Sequence, residues 1–161
     1  MAYYQEELGQ EARRGKYITG TFSEYLIQAS AKKLQRFFYK QHESMQHLVI
    51  VPIPSNRHPQ LVPQFAQSLA NMLNVQFANV LAKKPNELEQ KSLLNGTQQE
   101  KNIRDSLYLN SSIELYNKHI LLIDDFVDSK WTFTIAAELL GNTYQNIKVT
   151  PFAIADTSGA D

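Results

Sequence analysis

The residues best suited to do chemistry lie between His119 and Thr134, in H-I-L-L-I-D-D-F-V-D-S-K-W-T-F-T. Ile120 to Ile123 is an apolar run, and two adjacent carboxylates, Asp124 and Asp125, follow it directly. Two ionised carboxylates side by side repel, so something must share their charge: a cation, a hydroxyl-rich ligand or bulk water. A ribose diol with a metal nearby meets that need. The loop Asp128 to Thr132 comes next. The hydroxyls of Ser129 and Thr132, with the free N–H groups that open a helix, suit an anion such as phosphate. Acid for a diol and amides for a phosphate together describe a phosphorylated sugar.

The elements that must hold these groups follow from the flanking pattern. Ile120 to Ile123, apolar on successive positions, reads as a strand buried on both faces of a parallel sheet, ending in an acidic turn before a helix starts. Leu48 to Ile53 reads as a second buried strand, although Pro52 and Pro54 weaken the pattern locally. The loop after it carries Ser55, Asn56, Arg57 and His58, which offer hydroxyl, amide, guanidinium and imidazole groups. Arginine is suited to bidentate contact with an oxyanion. Any one of the four taken alone reads better as part of a hydrophilic turn, whereas the cluster behind a strand favours a ligand. In a parallel sheet both loops leave carboxyl ends of strands, where open α/β sheets bind ligands, so the two loops are expected to face one pocket.

Along the rest of the chain, 161 residues suit one domain spanning 1–161. Residues 1–46 read as a polar lead-in followed by a helix. Arg13, Arg14 and Lys16 are taken as solvated and given no function. Ser23 is a good N-cap, and Ile27, Ala31, Leu34 and Phe38 mark an amphipathic helix to about Tyr39. Val62, Phe65, Leu69 and Met72 mark another, ending near Asn74, and Val75 to Leu81 reads as a strand. The polar stretch 82–104 is longer than an ordinary connection and reads as a functional lid or a disordered insert. Leu107 to Leu109 suits a short strand, and Ile135, Ala136, Leu139 and Leu140 form a helical stripe that stops at Gly141-Asn142. Ile147 to Ala155 reads as the last strand, at an edge because Pro151 cannot donate to a ladder. Strands separated by helices give an α/β fold with a mostly parallel twisted sheet flanked by helices.

Composition narrows the function classes. Sixteen basic and sixteen acidic residues cancel, so tight unaided nucleic-acid binding is not expected. Cysteine is absent, which removes disulfides and thiolate metal sites and agrees with a reducing compartment. No apolar run approaches the roughly 20 residues of a membrane span and no leader is visible, so a cytoplasmic location is the default expectation. Neither G-x-x-x-x-G-K-[ST] nor G-x-G-x-x-G occurs, which argues against a P-loop motor and a dinucleotide site.

An apolar strand, two acids, the apolar pair Phe126-Val127 and the loop Asp128-Ser129-Lys130-Trp131-Thr132 resemble the phosphoribosyl-pyrophosphate motif of the type I phosphoribosyltransferases. The resemblance implies that Asp124 and Asp125 hold the ribose 2′- and 3′-hydroxyls while residues 128–132 wrap the 5′-phosphate. It also implies Asp128 as general base, Ser55 to His58 on pyrophosphate, and Mg²⁺ near Asp124 and Asp125 through ligand or water. Residues 82–104 would be a mobile hood, and the partners phosphoribosyl pyrophosphate and a nitrogen base of unknown identity. The family usually carries Gly where this chain has Lys130, and often at Trp131. Gly allows close backbone approach to phosphate; Lys130 would contribute charge instead. Trp131, the only Trp, reads as packed beneath the loop more readily than as a base stack.

Gln90-Lys91-Ser92-Leu93 with Gln99, Asn102 and Arg104 is similar to the hood of ComF-like phosphoribosyltransferases. Arg14-Gly15-Lys16-Tyr17, Arg57-His58-Pro59, Leu61-Val62-Pro63, Gln90-Lys91, the central motif and Pro151-Phe152-Ala153 together resemble the phosphoribosyltransferase-type domain of some bacterial RecQ-family DNA helicases. Two functions follow from these resemblances. One is a transferase. The other is a non-catalytic ligand-binding or interaction module tied to a helicase partner or fusion in DNA repair, either as a separate polypeptide or as the tail of a longer one.

Overall fold

The computed structural model describes residues 2–85, 96–127 and 131–156. Its centre is a parallel pair, β1 (Leu48–Pro52) and β5 (His119–Val127), in register from Leu48 opposite His119 to Pro52 opposite Ile123. Strand β2 (Gln76–Phe77) joins the free side of β1 and β6 (Lys148–Asp156) the free side of β5, both parallel, giving the order β2-β1-β5-β6. Both central strands are apolar on consecutive positions because both faces of the sheet are covered.

Alternation along the strands sorts the side chains into two cores. Leu48, Ile50, Leu121 and Ile123 pack with helices α2 (Glu24–Lys40) and α3 (Leu61–Leu73) on one face. Val49, Val51, Ile120 and Leu122 pack on the other with α5 (Trp131–Thr143), α4 (Gly96–Ser106) and strands β3 (Leu81–Lys83) and β4 (Leu107–Leu109). Connection β1-α3-β2 runs away from β5, and β5-α5-β6 runs away from β1, with their helices on opposite faces. The carboxyl ends of β1 and β5 therefore flank a topological switch point, the place where open α/β sheets hold ligands.

Local signals act as expected in several elements. The Ser23 Oγ accepts the Leu26 N–H at 3.2 Å and opens α2, which buries Leu26, Ala31, Leu34 and Phe38. Helix α3 ends on Asn74 in the left-handed region at φ 55°. Strand β6 lies at the sheet edge, and Pro151 sits in it opposite Leu122.

Other expectations are corrected. Met72 is exposed, because the buried stripe of α3 runs Val62, Ala66, Leu69 and the partly buried Leu73, and Met72 falls beside it. Residues 75–81 do not form one strand: β2 pairs with β1, and the chain then turns through Ala78 to Val80 into β3, which pairs antiparallel with β4 in a second small sheet. Within the polar stretch 82–104, residues 82–83 belong to β3 and 96–104 to α4. Arg104 of α4 bonds Glu100 in its own helix and Glu138 in α5, clamping the two helices together. Residues 86–95, with Gln90 to Leu93, lie outside the described residues. The largest correction is at the N-terminus, where the expected solvated lead-in is helix α1 (Ala2–Arg14) running into a π-helical turn, Gly15–Thr19, with Ala12 fully buried. Among the described residues no helix is long and apolar enough to cross a membrane.

At the amino end of β5, His119 bonds the Thr150 hydroxyl through Nε2 at 2.7 Å, and its Nδ1 lies 3.5 Å from Glu43, which also pairs with Lys148. Burial pushes its pKa below the usual 6.5, with Glu43 opposing and Lys148 assisting. The folded state thus disfavours the imidazolium, so the contribution of His119 to stability is complete above pH 6.5 and is lost as pH falls below it. The urea midpoint is expected to drop between pH 7.5 and 5.5, and His119→Gln should flatten that drop.

Candidate functional site

Asp124 and Asp125 do not leave the strand in a turn; they sit within it. Strand β5 continues to Val127 by pairing with β6, Asp124 opposite Ala153 and Phe126 opposite Ala155, whereas β1 stops at Pro52, opposite Ile123. Past that point the Ile53 N–H donates to the Ile123 carbonyl at 2.8 Å, and the chain beyond Ile53 departs from β5. The acidic pair thus stands on the last stretch of β5 beyond the end of its neighbour. Each carboxylate accepts the N–H of the residue after it, Asp124 from Asp125 at 2.8 Å and Asp125 from Phe126 at 2.7 Å.

The two carboxylates stay within hydrogen-bonding reach of each other, and the charge of Lys16 acts on both. Asp124 lies within electrostatic reach of Lys83 of β3. Its pKa is pushed well up, first by burial and then by the charge of Asp125, against the pull of Lys16. Burial lowers the pKa of Lys83, and the nearby Asp124 opposes that.

Asp125 meets Lys16 directly. The Lys16 Nζ lies 2.8 Å from Asp125 Oδ2, with side chains only 18 % and 9 % exposed, so the pair is largely shielded from water. The ammonium also lies 4.9 Å from the centroid of the Phe126 ring and 5.7 Å from that of Tyr17. Tyr17 stacks nearly parallel on Phe126 at 6.3 Å and meets His58 edge-on at 6.4 Å. The π-helical turn is what aims Lys16 at the strand; such turns are rare and concentrate at functional sites. It closes through Gly20 at φ 75° and depends on Gly15, where an added Cβ would lie 2.6 Å from Phe22 Cδ1 and 2.8 Å from the Thr21 carbonyl oxygen. Gly15→Ala is expected to cost about 1–3 kcal/mol by overpacking, read as a lower urea midpoint with unchanged slope.

The second loop leaves β1 alongside. Ser55 and His58 are half-buried, with the His58 N–H donating to Ser55 Oγ at 3.2 Å, while Asn56 and Arg57 are exposed. Asn56 Nδ2 donates to the Lys84 carbonyl at 3.0 Å, tying the loop to the segment after β3. His58 is brought to the acidic strand through Tyr17, which touches both His58 and Phe126. Trp131 and Thr132 form the first turn of α5 and are partly buried; the Trp131 indole packs on the second core, and an added Cβ at Gly96 would lie 3.3 Å from its Nε1. Asp128, Ser129 and Lys130 lie outside the described residues.

Sequence reasoning missed Lys16, Tyr17 and Lys83. Lys16 and Tyr17 had no periodic or local signal, and only their place in Arg14-Gly15-Lys16-Tyr17 within the ordered likeness pointed to them. Lys83 was one cation among many in a polar stretch.

No protein-family model matches the chain, and no curated protein matches it. Solved structures do. An adenine phosphoribosyltransferase superposes with a TM-score of 0.53 at 14% identity, covering 83% of this chain and 71% of that one. The fold is that of the type I phosphoribosyltransferases. A purine phosphoribosyltransferase from Pyrococcus horikoshii superposes with a TM-score of 0.50 at 10% identity over 86% of this chain and 87% of its own. The adenine phosphoribosyltransferase of Saccharomyces cerevisiae, solved with an imino-altritol bisphosphate and adenine, reaches 0.51 at 14% identity over 83% and 70%. At these identities the likeness to phosphoribosyltransferases is one of fold, and function must be argued from the site.

Proposed function

We propose that the chain binds phosphoribosyl pyrophosphate at the carboxyl ends of β1 and β5 and transfers its phosphoribosyl group to a nitrogen base. The observation that carries this reading is the acidic pair at the switch point, on the stretch of β5 that outlasts β1, with the Ser55 to His58 loop beside it. Asp124 and Asp125 together would accept the ribose hydroxyls. Asp128, Ser129, Lys130, Trp131 and Thr132, ahead of and into the first turn of α5, would surround the 5′-phosphate. Ser55, Asn56, Arg57 and His58 would hold the pyrophosphate. In the reaction a bond forms between the base nitrogen and ribose C1 while the bond from C1 to the pyrophosphate oxygen breaks. Pyrophosphate leaves with the electron pair, and Asp128 takes the proton from the attacking nitrogen, a role with typical effects of 10²- to 10⁴-fold.

Mg²⁺ belongs to this reading only as part of the diphosphate ligand, held by phosphate oxygens and water. The carboxylates do not suit direct coordination: Asp125 is taken by Lys16, Asp124 is within electrostatic reach of Lys16 and Lys83, and no group of three or more His, Asp or Glu suited to a metal occurs among the described residues.

The second reading keeps the ligand and drops the turnover, as a binding module associated with a RecQ-type DNA helicase in DNA repair. The closed Lys16–Asp125 pair and the packing of Trp131 into the core support it. Titration calorimetry with phosphoribosyl pyrophosphate and Mg²⁺ tests the shared step, and absence of binding removes both readings. Pyrophosphate release across a panel of purine and pyrimidine bases then separates them: release selects the transferase, binding without release the module.

A further inference from the structure

We propose that Lys16 is the resident counter-cation of the acidic pair, so that the chain binds the ribose 5-phosphate part of its ligand without a divalent metal ion at Asp124 and Asp125. This rests on the phosphoribosyl reading above and narrows it.

Neighbouring carboxylates need a positive charge close by, and the chain supplies one at 2.8 Å from Asp125. That charge is built in. Gly15 leaves no room for a side chain against Phe22 and Thr21, the turn Gly15–Thr19 is π-helical, and the ammonium lies near the Phe126 and Tyr17 rings. The charge of Lys16 reaches Asp124 as well, and Lys83 stands within electrostatic reach of Asp124, so the pair shares its counter-charge.

Mg²⁺ demands near-octahedral oxygen ligands and gives up its water reluctantly. To reach Asp125 it would have to displace an ammonium largely shielded from solvent and held by its own turn. A sugar hydroxyl has no such difficulty. One Asp125 oxygen meets Lys16 and the other the Phe126 N–H, and Asp124 Oδ1 accepts the Asp125 N–H. A carboxylate offers about four lone-pair sites, so each can still accept a hydroxyl proton with Lys16 in place. The pair is thereby arranged for a neutral diol rather than a hard dication, and the ligand class it favours is a singly phosphorylated ribose, as in ribose 5-phosphate or a nucleoside monophosphate.

Ribose 5-phosphate separates this inference from the proposed function, because it carries the diol and the 5′-phosphate but no diphosphate to bring a metal. Calorimetry on the full chain is expected to give the same Kd within about twofold in EDTA and in millimolar Mg²⁺. Lys16→Gln should weaken binding in EDTA at least tenfold and recover part of it with Mg²⁺, while Lys16→Arg keeps metal independence. Wild-type binding of ribose 5-phosphate that requires Mg²⁺ overturns the inference and leaves the proposed function standing if phosphoribosyl pyrophosphate with Mg²⁺ still binds. So does unchanged binding by Lys16→Gln in EDTA. If neither ligand binds under either condition, the phosphoribosyl reading itself falls and the inference with it. The wild-type comparison decides without any variant, so poor folding of Lys16→Gln would not shield the proposal.

Discussion

Replacing Asp124 and Asp125 together by Asn is expected to weaken binding of phosphoribosyl pyrophosphate at least a hundredfold. The pair would accept the ribose diol, and hydrogen bonds to charged groups contribute about 1.5–3 kcal/mol each. Two of them amount to about 3–6 kcal/mol, and each 1.4 kcal/mol is about tenfold in Kd. Calorimetry of the double variant against wild type reads this directly; a Kd within threefold of wild type would remove the carboxylates from the ligand site. The single change Asp124→Asn should separate binding from stability. Asn keeps the acceptor for the Asp125 N–H while deleting a carboxylate that burial and its neighbour both hold in an unfavourable charge state. Its thermal midpoint is expected to rise by a few degrees while its affinity falls. Such an opposition is characteristic of charges retained for function at a cost in stability.

The largest stability effect is expected at the middle of β5. Leu122 is fully buried in the core shared with α5 and lies opposite both Val51 and Pro151. Leu122→Ala is expected to cost about 2–5 kcal/mol, as lost transfer energy plus the cavity left behind, which for a domain of this size lowers the melting midpoint by roughly 5–20 °C. Differential scanning calorimetry checks it; a drop of under 2 °C would mean that this strand is not central to the fold.

The sheet was legible because its two central strands carry signals that need no tertiary knowledge. Val49, Ile50 and Val51, and Ile120 to Ile123, are apolar on consecutive positions, and only a strand covered on both faces makes use of that. Ser23 and Asn74 mark helix ends through local chemistry, and Asp124-Asp125 is conspicuous because adjacent carboxylates after an apolar run need a reason. The expected strand over 75–81 failed for a related cause. Phe77 and Val80 are both apolar, but they pack in different cores, and periodicity cannot show a strand breaking to change partner.

By itself the sequence determined that this is an α/β chain with two buried parallel strands, each followed by a polar loop, and with an acidic pair behind the second. Only the tertiary structure decided that the pair lies inside β5 rather than after it, because that depends on β6 continuing where β1 stops. It also decided which cation answers the acids. Lys16 and Asp125 are more than a hundred residues apart, and a polar helix followed by Gly-Lys-Tyr has no periodicity that would distinguish a solvated lead-in from a turn docked on the sheet. Burial patterns are local and periodic and so can be read along a chain. Charge pairing across a fold is neither, and it becomes visible only when packing brings the partners together.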